Sequence, residues 1–242
     1  MTELRICRHN GLSSEQERAL AKRLLKNALA ERLPHRPVQF QLEYGKYGKP
    51  YLKDAALQVS VSYTYGICLI ALSDGAIGVD IEHLRAAKPY AASRCFTDSE
   101  NRYLYQDMEL FDKRFYELWT QKEAYLKYTG EGFSRSPTSV DVLSQPICEW
   151  LYTFANGDTI ISLCGRNIHP VSIDTVSLSE WNEPLNITSA FICRHERISC
   201  GLDIIGYQNC PAGAGSEETP PHIFAEYTDA RIRLPDGKYR LS

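Results

Sequence analysis

The residues best suited to chemistry lie in two separated acidic segments, Gly78-Val79-Asp80-Ile81-Glu82 and Trp119-Thr120-Gln121-Lys122-Glu123-Ala124-Tyr125-Leu126-Lys127. In an extended strand successive side chains alternate, so Asp80 and Glu82 share one face while Val79 and Ile81 turn toward a core. In a helix residues four apart stack, which lines up Trp119, Glu123 and Lys127 on one stripe. If the fold brings them together, Asp80, Glu82 and Glu123 form a donor set for a hard cation. Magnesium takes one or two carboxylates and completes its shell with water and phosphate oxygens, so the chemistry expected here is on a phosphate. Taken singly, each segment also has a plain reading. An Asp-x-Glu ends many solvated strands, and a Glu four residues before a Lys stabilises a helix by about 0.2–0.5 kcal/mol.

Several elements must carry these residues. Ser14-Glu15-Gln16-Glu17 has the form of a capping box, and Leu20, Ala21, Leu24, Leu25 and Ala28 make an apolar stripe behind it, predicting a first helix over about 14–32. Val38-Gln39-Phe40-Gln41-Leu42 and Leu57-Gln58-Val59-Ser60-Val61 alternate as half-buried strands do. Ile67–Leu72, Ser73-Asp74-Gly75 and Ala76–Glu82 read as a hairpin. Thr97-Asp98-Ser99-Glu100 opens a short helix, and a longer one runs from about Leu110 to Tyr128 and stops at Gly130. Strand-like runs follow near 138–143, 149–155 and 159–164, with Asn156-Gly157 as a turn signal.

The first half is thus a helix on an antiparallel sheet, and the second half repeats the plan. The expected organisation is an N-terminal α+β half over 1–90, a C-terminal α+β half over 91–204, and a Pro/Gly-rich extension over 205–242 ending in a strand and turn near 230–237.

Composition narrows the function classes. The chain has 242 residues, 43% hydrophobic and 24% charged, as in ordinary globular proteins. A net charge of −3 argues against nucleic-acid binding through a broad basic field. No apolar run approaches the roughly 18 residues of a membrane span, and the first residues lack signal-peptide layout, so the expected location is the cytoplasm. Eight cysteines are scattered without a Cys-x-x-Cys pair, and six histidines show no ligand spacing.

Taken together, the two acidic segments resemble one family, the Sfp-type 4′-phosphopantetheinyl transferases, in which a Gly-[Ile/Val]-Asp-[Ile/Val]-Glu strand accompanies a Trp-x-x-Lys-Glu-Ala/Ser-x-x-Lys helix. Tyr47-Gly48-Lys49-Pro50-Tyr51 is similar to that family's Gly-Lys-Pro turn, and Arg94-Cys95-Phe96-Thr97-Asp98-Ser99-Glu100 to its aromatic-Ser/Thr-x-x-Glu helix start. Val59-Ser60-Val61-Ser62-Tyr63-Thr64 stands where the family has a Ser-His segment, with Tyr63 in place of the histidine. The order agrees from the first helix to about residue 143.

The resemblance implies an α+β fold of two similar helix-plus-antiparallel-sheet halves related by a pseudo-twofold, acting as a monomer. It implies Mg2+-dependent transfer of the 4′-phosphopantetheine arm of coenzyme A to a serine of an acyl or peptidyl carrier protein, releasing adenosine 3′,5′-bisphosphate. Asp80, Glu82 and Glu123 would hold the metal, and Glu123 is also the candidate general base, with Lys127 beside it. Lys127, Lys49, Arg18, Ser62 and Tyr63 would contact coenzyme A. Trp119 either packs by the pantetheine arm or anchors its helix. Lys122 lies off the stripe, where a solvated charge is as good a reading as a functional one. Arg94, Arg102, Lys113 and Arg114 are candidates for docking an acidic carrier. Tyr63, which has no cationic form, and a first helix without the family's preceding basic segment motivate an alternative: a non-catalytic module of the same fold that binds a carrier or coenzyme A.

Overall fold

The computed structural model describes residues 2–33, 41–53, 56–166 and 168, and the strands at 171–177, 194–196, 232–233 and 239–240. Residues 38–40 of the strand expected over Val38–Leu42, the Pro/Gly-rich run at 211–221, and His35, His169, His222, Cys193, Cys200 and Cys210 lie outside the described residues.

The elements in order are β1 (Thr2–Arg8), α1 (Ser14–Arg32), β2 (Leu42–Tyr44), β3 (Pro50–Leu52), β4 (Gln58–Thr64), β5 (Ile67–Ser73) and β6 (Gly78–His83). Then come α2 (Pro89–Cys95), α3 (Asp98–Tyr105), α4 (Phe111–Thr129), β7 (Leu151–Asn156), β8 (Thr159–Cys164), β9 (Val171–Ser177), β10 (Arg194–Glu196), β11 (Ile232–Arg233) and β12 (Tyr239–Arg240). The class is α+β. One sheet runs β10-β9-β1-β5-β4 and a second β6-β8-β7, with β2-β3 and β11-β12 as two-stranded ribbons. All pairings are antiparallel except β1 with β9, which run parallel.

Alternating side chains sort the core into layers. On β5, Cys68, Ile70 and Leu72 pack with Leu20, Leu24, Leu25 and Leu29 of α1, while Ile67, Leu69 and Ala71 pack with Val79, Ile81, Ile161 and Leu163 of the second sheet. The far face of that second sheet, through Ile160 and Cys164, meets Leu118, Tyr125 and Leu126 of α4. The order is therefore helix, sheet, sheet, helix. Buried on both faces, β5 needs an unbroken apolar run, and Ile67-Cys68-Leu69-Ile70-Ala71-Leu72 supplies it.

Three local expectations are corrected. The cap of α1 is Ser13, one residue earlier than expected: Ser13 Oγ accepts from Gln16 N at 3.3 Å and Gln16 Oε1 accepts from Ser13 N at 2.8 Å. β5 and β6 do not form a hairpin. Both edges of β5 are taken by β1 and β4, so β6 leaves for the second sheet and pairs with β8. The strand expected near 138–143 is instead a 3-10 turn at Pro137–Ser139 followed by a loop, whose Val140 and Val142 are buried. The later helices stand as expected: α3 has a complete capping box of Thr97 and Glu100, and α4 ends at Gly130 with φ of 75°.

Candidate active site

β4 and β6 are edge strands of different sheets, and they meet side by side. Hydroxyls of β4 join it to β6: Ser60 Oγ accepts from Val79 N at 3.1 Å, Ser62 Oγ donates to Asp80 Oδ1 at 2.6 Å, and Thr64 Oγ1 donates to Glu82 Oε2 at 3.2 Å. Three hydroxyls at period two thus meet three positions of β6. Val79 and Ile81 enter the core between the sheets, which leaves Asp80 and Glu82 on the opposite face, under α4.

Gly78 allows α4 to come that close. A β-carbon there would lie 2.0 Å from Ala124 O and 2.4 Å from Tyr128 N, so only glycine admits this approach of helix to strand. Lys127 then reaches down to Asp80. Its Nζ donates to Asp80 Oδ1 at 2.7 Å and to Ser62 Oγ at 2.9 Å. Asp80 is 5% exposed; with Oδ1 engaged twice, its Oδ2 is buried without a partner, as is Glu123 Oε1.

The electrostatics follow from this crowding. Burial, then the charges of Asp80 and Glu82, push the Glu123 carboxyl up to about 7, against the pull of Lys127. Burial and the Asp80 charge raise Glu82, with Arg85, Thr64 and Lys127 opposing. Glu82 and Glu123, raised by burial and the Asp80 charge, together with the unpaired buried oxygens of Asp80 and Glu123, form a site of unmet negative potential. Among the described residues no three His, Cys, Asp or Glu side chains converge in ligand geometry. Two carboxylates with water and phosphate are the usual complement for magnesium, and the unpartnered oxygens of Asp80 and Glu123 fit that donor set.

The other expected residues divide. Lys49, from the turn whose Gly48 has φ of 82°, donates to Tyr128 O at 2.9 Å and Ile77 O at 3.3 Å, so two of its three protons hold the end of α4 to the chain before β6, and burial lowers its pKa. Tyr63 points to the α1 side of β4, away from Asp80; it is partly exposed, lies near Arg18, and burial raises its phenol. Arg18 is exposed on α1. Ser62 belongs to the Asp80 cluster, and Trp119 packs partly buried against the α4 core.

The solvated reading of Lys122 is overturned: it is 0% exposed and ion-paired with Glu100 at 2.7 Å. Of the basic residues expected to dock a partner, Arg94 and Arg102 are exposed, whereas Arg114 lies over the Tyr103 ring and donates to Tyr103 O. Thr64 and Glu100 were missed as functional contacts; the alternating Ser60, Ser62 and Thr64 were the available signal for the first.

Residues 76–169 match the family model of the 4′-phosphopantetheinyl transferase superfamily. The likeness to that family model lies in this segment. The segment carries β6 and α4, which supply Asp80, Glu82, Glu123 and Lys127. The chain is 38% identical over 156 residues to a Synechocystis protein with a provisional 4′-phosphopantetheinyl transferase name, covering 60% of this chain and 62% of that one. It is 37% identical over 97 residues to the 4′-phosphopantetheinyl transferase Sfp of Bacillus subtilis, covering 38% and 41%. Against the 4′-phosphopantetheinyl transferase HetI of Nostoc it is 33% identical over 120 residues, covering 46% and 51%. The chain therefore spans less than two thirds of the length of each of these relatives. No described helix is long and apolar enough to cross a membrane.

Proposed function

We propose that this protein transfers the 4′-phosphopantetheine arm of coenzyme A to a serine of an acyl or peptidyl carrier protein, releasing adenosine 3′,5′-bisphosphate. The observation that carries the reading is the pair of buried, unpartnered carboxylate oxygens on Asp80 and Glu123, in a segment that matches the transferase superfamily model.

The reaction must neutralise a pyrophosphate, align a serine hydroxyl with the phosphorus, and take up its proton. Asp80 and Glu123, with Glu82 beside them, are the proposed holders of Mg2+, which when bound would supply Lewis-acid neutralisation of the pyrophosphate oxygens. Glu123 is the proposed general base. Burial and the neighbouring carboxylates raise its carboxyl in the metal-free protein, which gives it more basicity than an ordinary glutamate. Lys127 holds Asp80 and offers its remaining proton to a phosphate oxygen. Lys49, with one donor uncommitted, and Arg18 with Tyr63 along the α1 side of β4 are the proposed outer contacts to coenzyme A.

The same reading makes the chain a cytoplasmic monomer, with halves at 1–90 and 91–204 related by a pseudo-twofold and the 205–242 segment as an extension. The packing of α1 on one sheet and α4 on the other supports the pseudo-twofold, with β6 and β9 each crossing into the other half's sheet. An acidic carrier would meet exposed Arg94 and Arg102 beside Tyr90, Tyr105 and Met108.

The test is mass spectrometry of apo carrier proteins incubated with the protein, coenzyme A and Mg2+. Gain of one phosphopantetheine arm, abolished in Glu123→Gln, establishes the reading. Unmodified carriers across fatty-acid, polyketide and peptide types sink it.

A further inference from the structure

Lys122 adjoins Glu123 in sequence yet faces away from the acidic cluster, because consecutive helical residues diverge by about 100°. Its ammonium is fully buried and its three protons are all engaged: by Glu100 Oε2 at 2.7 Å, by Pro137 O at 2.8 Å, and by Val140 O. None remains for a ligand. Glu100 is equally buried and equally satisfied, accepting also from Thr97 N at 2.7 Å through Oε2 and from Val142 N at 2.9 Å through Oε1. One ion pair thus ties the cap of α3, the middle of α4 and the 137–142 loop at a single point. On the other flank α4 rests on Gly78, where the strand backbone touches Ala124 and Lys127 directly.

We propose that the Glu100–Lys122 pair is a rotational lock that, against the Gly78 contact, sets the azimuth of α4 and so aims Glu123 at Asp80. Lys122 is then a positioning residue, and its place in the reaction rests on the transferase reading above. A buried pair is weak as a source of stability, since apolar side chains of similar volume often replace one at no loss; its use is to select one packing among several. The geometry makes that selection matter. A Glu carboxylate extends well beyond the roughly 2.3 Å radius of the Cα cylinder, so a helix turn of about 20° swings it by roughly 2 Å. A misplacement of about 1 Å can cost about 10²-fold in rate.

The decisive variant is Lys122→Met with Glu100→Gln, which removes both charges together and keeps an acceptor for Thr97 N or Val142 N. The lock predicts melting within a few degrees of the wild type, α4 visibly rotated in a crystal structure, kcat for carrier modification down by about 10²-fold, and KM for coenzyme A unchanged. Glu100→Gln alone, which leaves Lys122 its two carbonyl partners but an unpaired buried charge, should melt lower and carries the rotation, kcat and KM readouts, kcat at about tenfold, should the double variant not fold. A variant in which α4 keeps its azimuth, or whose kcat returns with its stability, overturns the lock and leaves the pair purely structural. A rise in KM for coenzyme A matching the fall in kcat would instead make Lys122 a direct ligand contact, which also overturns it. If the wild type itself transfers nothing, the transferase reading fails while the crystal structures still decide the lock.

Discussion

The α-carbon of Gly78 lies against the backbone of α4, so close that a β-carbon there would sit 2.0 Å from Ala124 O. Backbone cannot swing aside as a side chain can, so Gly78→Ala must push β6 and α4 apart. Overpacking of this kind costs about 1–3 kcal/mol, and each kcal/mol lowers the melting point of a domain of this size by about 2–4 °C. The expected result is a lower Tm by circular dichroism, with transfer activity falling further than stability at a temperature where both proteins are folded. Wild-type activity in the alanine variant would show that the close approach does not set the site.

Glu123 should impose a pH profile. On the acid side kcat should fall as Glu123 takes up its proton, with the limb shifted by whatever charge Mg2+ brings to the site. The linkage of Glu123 to stability has the opposite sense to an ordinary paired carboxylate. Because the folded form holds the proton more tightly than the unfolded chain, the contribution is full below the usual carboxyl pKa and is lost as pH rises toward 7. Glu123→Gln should be inactive and should lose that slope in a set of melts from pH 4 to pH 8. An acid limb surviving in the glutamine variant assigns it to another group.

Asp80, Ser62 and Lys127 form a closed triangle of hydrogen bonds at 2.6, 2.7 and 2.9 Å. A double-mutant cycle of Asp80→Asn and Lys127→Met should show coupling, within the 0.5–3 kcal/mol range of contacting pairs. Each single variant should also lose most transfer. Additive stabilities would mean that the pair is solvated and not a unit.

Glu117 presents a cost to the fold. It is 1% exposed, both carboxylate oxygens lack partners, and burial raises its pKa well above the ordinary value. Gln121, one turn on, also has an unpartnered oxygen. Stability from a proton held this way is full at low pH and is lost as pH climbs above the usual carboxyl value, so Glu117→Gln should melt higher than the wild type at pH 8 by about 2–4 °C for each kcal/mol recovered. The gap should close at pH 5, and transfer should be unchanged. Equal melting at both pH values would show that the carboxyl finds a partner.

Periodicity in the sequence was enough to place Asp80 and Glu82 on one strand face and Glu123 with Lys127 on one helix stripe, because alternation and the 3.6-residue turn are local properties of the backbone. It also marked α1, α3 and α4 through caps and apolar stripes, and β5 through an unbroken apolar run. Tertiary structure decided what those faces meet. Nothing within β5 or β6 says that the first already has two neighbours, so a turn-like Ser73-Asp74-Gly75 read as a hairpin although the chain crosses between sheets there. Gly78 has an ordinary negative or extended φ, and its requirement comes only from a helix that is distant in sequence. The sequence left Lys122 open between a solvated charge and a functional one because its partners, Glu100 and the carbonyls of Pro137 and Val140, come from α3 and a loop that the local pattern had assigned largely to a strand. A burial or a pairing between residues distant along the chain is a property of packing, which no local pattern encodes.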